Sequence, residues 1–240
     1  MYNTIVTFNG CRDRHDSGAL YIEHHSNITF KGNSNVMITD YEFYDSGVLY
    51  IHDQSEVRFE GNTTVKFYDN TGRQWSGAMH IDQSTVAFKE NCNVIFDKNL
   101  NEGALYVRNS FVQFEEFCKV TFTSNDAHNG GTTYIGDSSV VIFKGNSTVV
   151  FDSNVADYRG GAIYITDHSS VSFEGNSRIK FHNNSAYGDG GAMYVELSSN
   201  IEFGSNSAIT CSNNTAHGAG GVFYATDYSI VTFKGISTVN

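Results

Sequence analysis

The chain has 240 residues, with 15 Lys and Arg against 26 Asp and Glu. The resulting formal charge of −11 argues against a nucleic-acid partner, because phosphate binding needs clustered Lys and Arg. Charged residues make up only 17% of the chain, aromatics reach 14% and proline is absent, which fits short strands and tight turns in which nearly every backbone N–H is needed as a donor.

No apolar run reaches the length of a bilayer span, and Met1 to Phe8 lack the basic region and long apolar core of a signal peptide, so membrane insertion is not expected. The chain opens in an alternating stretch, Thr4 to Phe8, and then repeats. A glycine followed three residues on by an aromatic residue or His occurs at Gly18/Tyr21, Gly47/Tyr50, Gly77/His80, Gly103/Tyr106, Gly131/Tyr134, Gly161/Tyr164, Gly191/Tyr194 and Gly221/Tyr224. The steps are 29, 30, 26, 28, 30, 30 and 30 residues, a period whose units must stack on one another to bury their apolar faces. Eleven or twelve residues after each glycine comes Phe30, Phe59, Phe88, Phe114, Phe143, Phe173, Phe203 or Phe233; eight residues later comes Ile38, Phe67, Phe96, Phe122, Phe151, Phe181 or Cys211. Residues alternate in polarity before each mark, as in Ser170-Val171-Ser172-Phe173, which predicts strands with one buried face.

Three strands per repeat of roughly 30 residues, all running the same way, predict an all-β right-handed parallel β-helix of about eight coils, on the order of 38 Å long. Inward stacks are expected from Ile22, Ile51, Ile81, Val107, Ile135, Ile165 and Val195 and from both Phe series. Residues 1–240 read as one solenoid domain cut from a longer array, because both ends fall inside a repeat. At one corner sit Asn33, Asn62, Asn91, Asn146, Asn176 and Asn206; at the next sit Asn70, Asn99, Asn125, Asn154, Asn184 and Asn214. Asn tolerates left-handed backbone, and stacked amides can bond coil to coil. Gly32, Gly61, Gly145, Gly175 and Gly235 are placed to supply positive φ. The remaining connection varies most in length and carries Arg73, Trp75, Tyr158, Arg159 and Tyr187, the candidate recognition residues.

If Ile163 and Ile165 point inward, strict alternation sends Ala162 and Tyr164 outward. That predicts an exposed row of Tyr21, Tyr50, His80, Tyr106, Tyr134, Tyr164, Tyr194 and Tyr224 beside a strip of small residues: Ala19, Val48, Ala78, Ala104, Thr132, Ala162, Ala192 and Val222. Such a face is a candidate contact surface for a second rod, a neighbouring protein or a glycan, or else a ladder that only stabilises the sheet. The strand ends in Asp53, Asp82, Asp137, Asp167, Glu196 and Asp227, a column where Asp137 and Asp167 are weak candidates for a structural calcium; no other cofactor or metal is expected. His15, His24, His25 and His52 gather near the first coils without the spacing of a metal site.

Cys92 and Cys118 occupy equivalent places in adjacent repeats and are expected to form a disulfide in an extracellular protein; Cys211 takes a core position and Cys11 that of a corner Asn. Asn27, Asn62, Asn146, Asn183 and Asn213 head N-x-[ST] triplets, glycan acceptors on a eukaryotic secretory route.

The Gly-Gly-Ala-Ile type element (Gly160 to Ile163, Gly190 to Met193, Gly220 to Phe223) alternates with Phe-x-x-Asn (Phe67 to Asn70, Phe96 to Asn99, Phe122 to Asn125, Phe151 to Asn154, Phe181 to Asn184). This pairing resembles the repeats of chlamydial polymorphic outer membrane proteins and of related extracellular β-helix proteins. The resemblance covers essentially the whole chain and implies a surface-exposed adhesive passenger. The expected function is a non-enzymatic, extracellular or cell-surface structural rod that associates with copies of itself or with neighbouring extracellular proteins, or stacks into an extended filament or matrix. The alternatives are an adhesin that binds a glycan or receptor through its variable loops and, less well supported by such short connections, a polysaccharide-active enzyme.

Overall fold

The computed structural model describes residues 4–10, 18–42, 47–72, 77–101, 103–128, 131–234 and 238–239. Cys11, His15, Arg73, Trp75 and Gly235 lie outside them. The described residues form strands, turns and bends with no helix. The strands wind into stacked parallel sheets. The first sheet has eight strands: Leu20–Ile22, Leu49–Ile51, Met79–Asp82, Leu105–Arg108, Thr133–Gly136, Ile163–Ile165, Met193–Val195 and Phe223–Ala225. These strands number coils 1 to 8 below. The second sheet also has eight strands, from Asn27–Phe30 to Ile230–Phe233, and the third has nine, from Ile5–Asn9 to Thr238–Val239. Each strand pairs with its equivalents one coil before and after, so Tyr106 sits between His80 and Tyr134, and Phe122 between Phe96 and Phe151.

The expected interior is observed. Ile51, Ile81, Val107 and Ile165 are fully buried, as are Phe59, Phe67, Phe88, Phe96, Phe122, Phe151, Phe173, Phe181 and Phe203. From Phe30 to Phe233 the rings of the second sheet stack 4.7 to 5.2 Å apart and within 9° of parallel. Those of the third sheet do the same from Phe67 to Phe181, at 4.7 to 5.0 Å. A parallel ladder repeats at about 4.8 Å, so in-register rings meet at strand spacing. Removing one such ring leaves a cavity worth about 3–5 kcal/mol. Cys211, which takes the Phe place in coil 7, is half-buried, and this burial pushes its thiol up to about 11.

Buried corners need donors and acceptors of their own, because the chain turns inside the protein there. At the third-sheet corner, each inward Asn bonds to the Asn of the next coil. Asn125 Nδ2 donates to Asn154 Oδ1 at 3.0 Å and Asn154 Nδ2 to Asn184 Oδ1 at 2.9 Å. The same carbonyl oxygens accept the preceding Asn's backbone N–H at 3.1 Å. The left-handed backbone falls one residue earlier than expected, on Asp40, Asp69, Lys98, Ser124, Ser153, Asn183 and Asn213. The ladder Asn is therefore there for its amide, not for its φ.

The sequence reading misses a second ladder. Ser55, Ser84, Ser110, Ser139, Ser169 and Ser199 are buried, and each accepts the backbone N–H of the Ser one coil earlier at 3.0 to 3.1 Å. A third column, Ser34, Thr63, Cys92, Cys118, Ser147, Ser177 and Ser207, is also buried. Its hydroxyls cap their own turns, as in Thr63 Oγ1 to the Glu60 carbonyl at 3.0 Å. Coils 4 to 7 add a small fourth sheet of two-residue strands, Asp126–Ala127, Val155–Ala156, Ser185–Ala186 and Thr215–Ala216, each too short to show a period.

Two readings of the first sheet need correction. The small residues beside the tyrosines are not an exposed strip: Val48, Ala78, Ala104, Ala162 and Ala192 are fully buried and Thr132 nearly so. Strand alternation begins only at Ile163, while Gly161 and Ala162 lie in the bend before it. That bend explains the paired glycines. A Cβ on Gly161 would lie 2.4 Å from the Gly191 carbonyl oxygen, and Gly160 takes φ 62°. Nor do the strand-end acids form one column. Asp82 pairs in register with Arg108 and Gly136, whereas Asp137 sits one residue further on. Counted from the row aromatic, Asp82 and Glu196 come two residues on and Asp53, Asp137, Asp167 and Asp227 three. The corner that follows also differs: it has two left-handed residues in most coils, Asp53 and Gln54 or Asp137 and Ser138 for example, but only Gln83 and Asn109 in coils 3 and 4.

Asn125→Ala strips two Asn99 donors of their acceptor and leaves two buried oxygens, on Phe96 and Asn154, without that donor. At about 1–3 kcal/mol per buried unsatisfied group after partial relaxation, the expected loss is about 3–5 kcal/mol by urea unfolding. Asn62→Ala in the exposed ladder, where Asn62 bonds only to Asn33 and Asn91 side chains, should cost under about 1 kcal/mol. Equal losses would show that the inward amides are not special.

Candidate functional site: the outer face of the first sheet

The middle residue of each first-sheet strand must point outward once its neighbours fill the core, and it is Tyr or His in every coil. The row forms a continuous aromatic ladder with centroids 4.5 to 5.5 Å apart. Only Tyr106/Tyr134 and Tyr194/Tyr224 are stacked; the other pairs are tilted or edge-on. Exposure runs from 41% at Tyr21 to 3% at Tyr194. The row presents ring edges and hydroxyls, not flat faces.

Burial raises the phenols of Tyr50, Tyr106, Tyr134, Tyr164 and Tyr194, to about 12 at Tyr50 and at Tyr194, where the Glu196 carboxylate adds to it. The row's one imidazole responds in the opposite sense. His80 lies edge-on between Tyr50 and Tyr106, and its Nδ1 is buried without a hydrogen-bond partner. Burial, with Arg108 and His52 nearby, drops it to about 3.

Charged groups flank the ladder in three clusters. Around coils 1 and 2, His24 Nδ1 meets Asp53 at 2.6 Å and His52 Nε2 meets Glu23 at 3.1 Å, while the Tyr21 hydroxyl is 3.1 Å from His52 Nε2. The His24 bond holds the Asp53 carboxyl below its ordinary range and raises the imidazole. In the middle coils, Arg108 pairs with Asp137, and Asp82, raised by burial, lies on the adjacent coil. Asp82 and Arg108 are thus neighbours in register. Around coils 6 and 7, Arg159 lies over the Tyr194 ring at 4.7 Å and reaches Glu196 at 3.2 Å; Glu196 also accepts from Tyr164 and Tyr194.

Arg159 is therefore tied to the first sheet and is no free loop residue. Tyr158 and Tyr187 do stand out from the connection, 57% and 63% exposed. Tyr158 packs edge-on against His128 and Tyr187 stacks on His217 at 4.9 Å. Asp137 and Asp167 are adjacent at their corner. The Arg108 guanidinium already meets the charge of Asp137. Among the described residues no group of three or more His, Cys, Asp or Glu is arranged to hold a metal ion.

Cys92 and Cys118 lie in register on adjacent coils, as expected, but both are free thiols, so the expected disulfide is not formed. They stand in the Ser/Thr capping column: Cys92 Sγ donates to the Lys89 carbonyl of its own turn at 3.0 Å, whereas Cys118 Sγ lies 3.4 Å from the Glu90 carbonyl oxygen of the coil before. Their mutual contact lowers the Cys92 thiol and raises that of Cys118. Of the triplet asparagines, Asn183 and Asn213 are exposed at left-handed corners of adjacent coils. Asn62 and Asn146 are engaged in the outer amide ladder, and Asn27 is exposed in the first strand of the second sheet.

A family model described as a right handed beta helix region matches residues 55–237. No curated protein and no solved structure matches the chain.

The buried His80 makes stability depend on pH. Its folded value lies below the unfolded 6.5, so the unfolded chain binds the extra proton; the contribution is complete above pH 6.5 and is lost as pH falls towards about 3. In that window wild type should lose up to about 1.4 kcal/mol per pH unit more than His80→Tyr, which continues the ladder without an imidazole. Unfolding curves for both at pH 7, 6, 5 and 4 check this, and parallel slopes would refute it.

Proposed function

Because the chain belongs to the right-handed β-helix family, whose fold serves both enzymes and non-enzymes, we propose that it acts as a non-enzymatic structural rod that associates laterally with copies of itself in an extracellular or cell-surface setting. The observation that carries this reading is the unbroken coil-to-coil bonding, above all the inward Asn ladder from Asn70 to Asn214. A rod so cross-linked transmits shape and load along its length, as a structural element requires. The Tyr/His row supplies the lateral contact through ring edges and hydroxyls spaced one coil apart, a repeating pattern that a second rod can match. The polar exterior, the charge of −11 and the resemblance to surface-exposed repeat proteins support the setting.

A second reading, an adhesin, is favoured by exposed Tyr158 and Tyr187, which project from the connection of most variable length onto the side of the rod. The two readings differ in what the free protein does. A structural rod sediments as larger species at rising concentration, and negative-stain images show rods side by side. Tyr106→Lys with Tyr134→Lys should weaken that association at least tenfold, about 1.4 kcal/mol. Monomeric rods at every concentration, or association untouched by these substitutions, would reject the structural reading.

A further inference from the structure

Two departures from the repeat fall at the same place. Coils 3 and 4 have one residue fewer at the corner between the first and second sheets, with Gln83 and Asn109 where the flanking coils carry Asp53-Gln54 and Asp137-Ser138. On coil 4, immediately past the shortened corner, the outward position that is Thr85 in coil 3 and Val140 in coil 5 is Phe111, half-exposed. The full-length corners of coils 2 and 5 stand proud on either side, so the corner is notched over roughly two strand spacings, about 10 Å. Two recesses of about 570 and 500 Å³ meet there, both lined by Gln83, Asn109 and Ser138. The first continues over Phe111 on the second sheet, and the other over Asp82, Arg108 and Asp137 on the first. The result is a groove that passes over an edge of the rod.

We infer that this notch is a binding site for a glycan of neutral or amino sugars. Gln54, Gln83 and Asn109 expose planar amides, each able to donate to one hydroxyl and accept from its neighbour, the pattern that vicinal sugar hydroxyls complement. Phe111 offers an apolar surface to the C–H face of a sugar ring. On the first-sheet side the three carboxylates of Asp82, Asp137 and Asp167 outnumber the basic groups of Arg108 and His168, and this net negative lining repels uronic acids and attracts an ammonium group. The notch owes nothing to the Tyr row, so it can bind whether or not rods associate; sedimentation and microscopy test the rod, and glycan binding tests the notch.

The test is saturation-transfer NMR and calorimetry with three hexamers: cellohexaose, fully deacetylated chitosan hexamer and hexagalacturonate. A shallow polar groove binds weakly, with Kd on the order of 0.1–1 mM. Wild type should bind at least one of the first two and not the third. Binding should fall at least fivefold in Phe111→Ser and in Gln83→Ala with Asn109→Ala. It should vanish when one serine is inserted after Gln83 and one after Asn109, which gives coils 3 and 4 the two-residue corner that the other coils already tolerate. If that insertion variant unfolds early, the surface substitution Phe111→Ser decides. No binding of either uncharged or amino hexamer, equal binding of hexagalacturonate, or binding unchanged in Phe111→Ser would overturn the assignment.

Discussion

A solenoid turns its backbone through a buried corner several times per coil, and each corner presents polar groups that water does not reach. Satisfying them is the constraint on which the rest of this structure depends. The chain meets it with side chains of the next coil. One Asn oxygen takes both the backbone and the side-chain N–H of the Asn before it, while its own NH₂ bonds to a strand carbonyl and to the next Asn. Such an arrangement works only if every coil has the same register. Once the amides are aligned, the Phe rings eight residues apart must stack at strand spacing, and the outward row of the first sheet follows from the alternation of the strands.

Regularity gives deviations their meaning. A one-residue change at a corner leaves the sheets on both sides in register, because the loss falls in a turn. Strand register, set ahead of the shortened corners of coils 3 and 4, places Asp82 beside Arg108, and Asp137 pairs with the same guanidinium from the next coil. The first-sheet face is consequently no uniform surface. It has a His-carboxylate cluster at coils 1 and 2, an Arg-centred cluster in the middle and an Arg-Tyr-Glu cluster at coils 6 and 7, joined by a single aromatic row.

Much of this was legible in the sequence. Phe marks separated by eight residues, glycines near every thirtieth position and asparagines three past most Phe marks are enough to place the three main sheets, their direction and the core. The shortened corners were legible too, as a glycine-to-Phe spacing of eleven at Gly77 and Gly103 against twelve elsewhere. What failed had physical causes. Alternation was extended backward through Ala162, where a bend interrupts the strand. The strand-end acids stand two residues past the row aromatic in some coils and three in others, so they cannot share one column. The serine ladder escaped notice because Ser is common in turns, although Ser stands at that position in every coil from Ser26 to Ser229. Cys92 and Cys118 coincide in register, but their spacing does not reveal that Cys92 caps its own turn while Cys118 reaches a carbonyl of the coil before.

Hydrogen exchange resolved to single amides tests most directly whether the corner ladders hold the coils in register. The backbone N–H groups of Asn99, Asn125, Asn154 and Asn184 each bond to the side-chain oxygen of the next Asn. They should exchange as slowly as mid-strand amides such as Val120 and Phe151, through global unfolding alone. Exchange at these four positions orders of magnitude faster than in the strands would mean that the sheets hold the coils and the amide ladder merely decorates them.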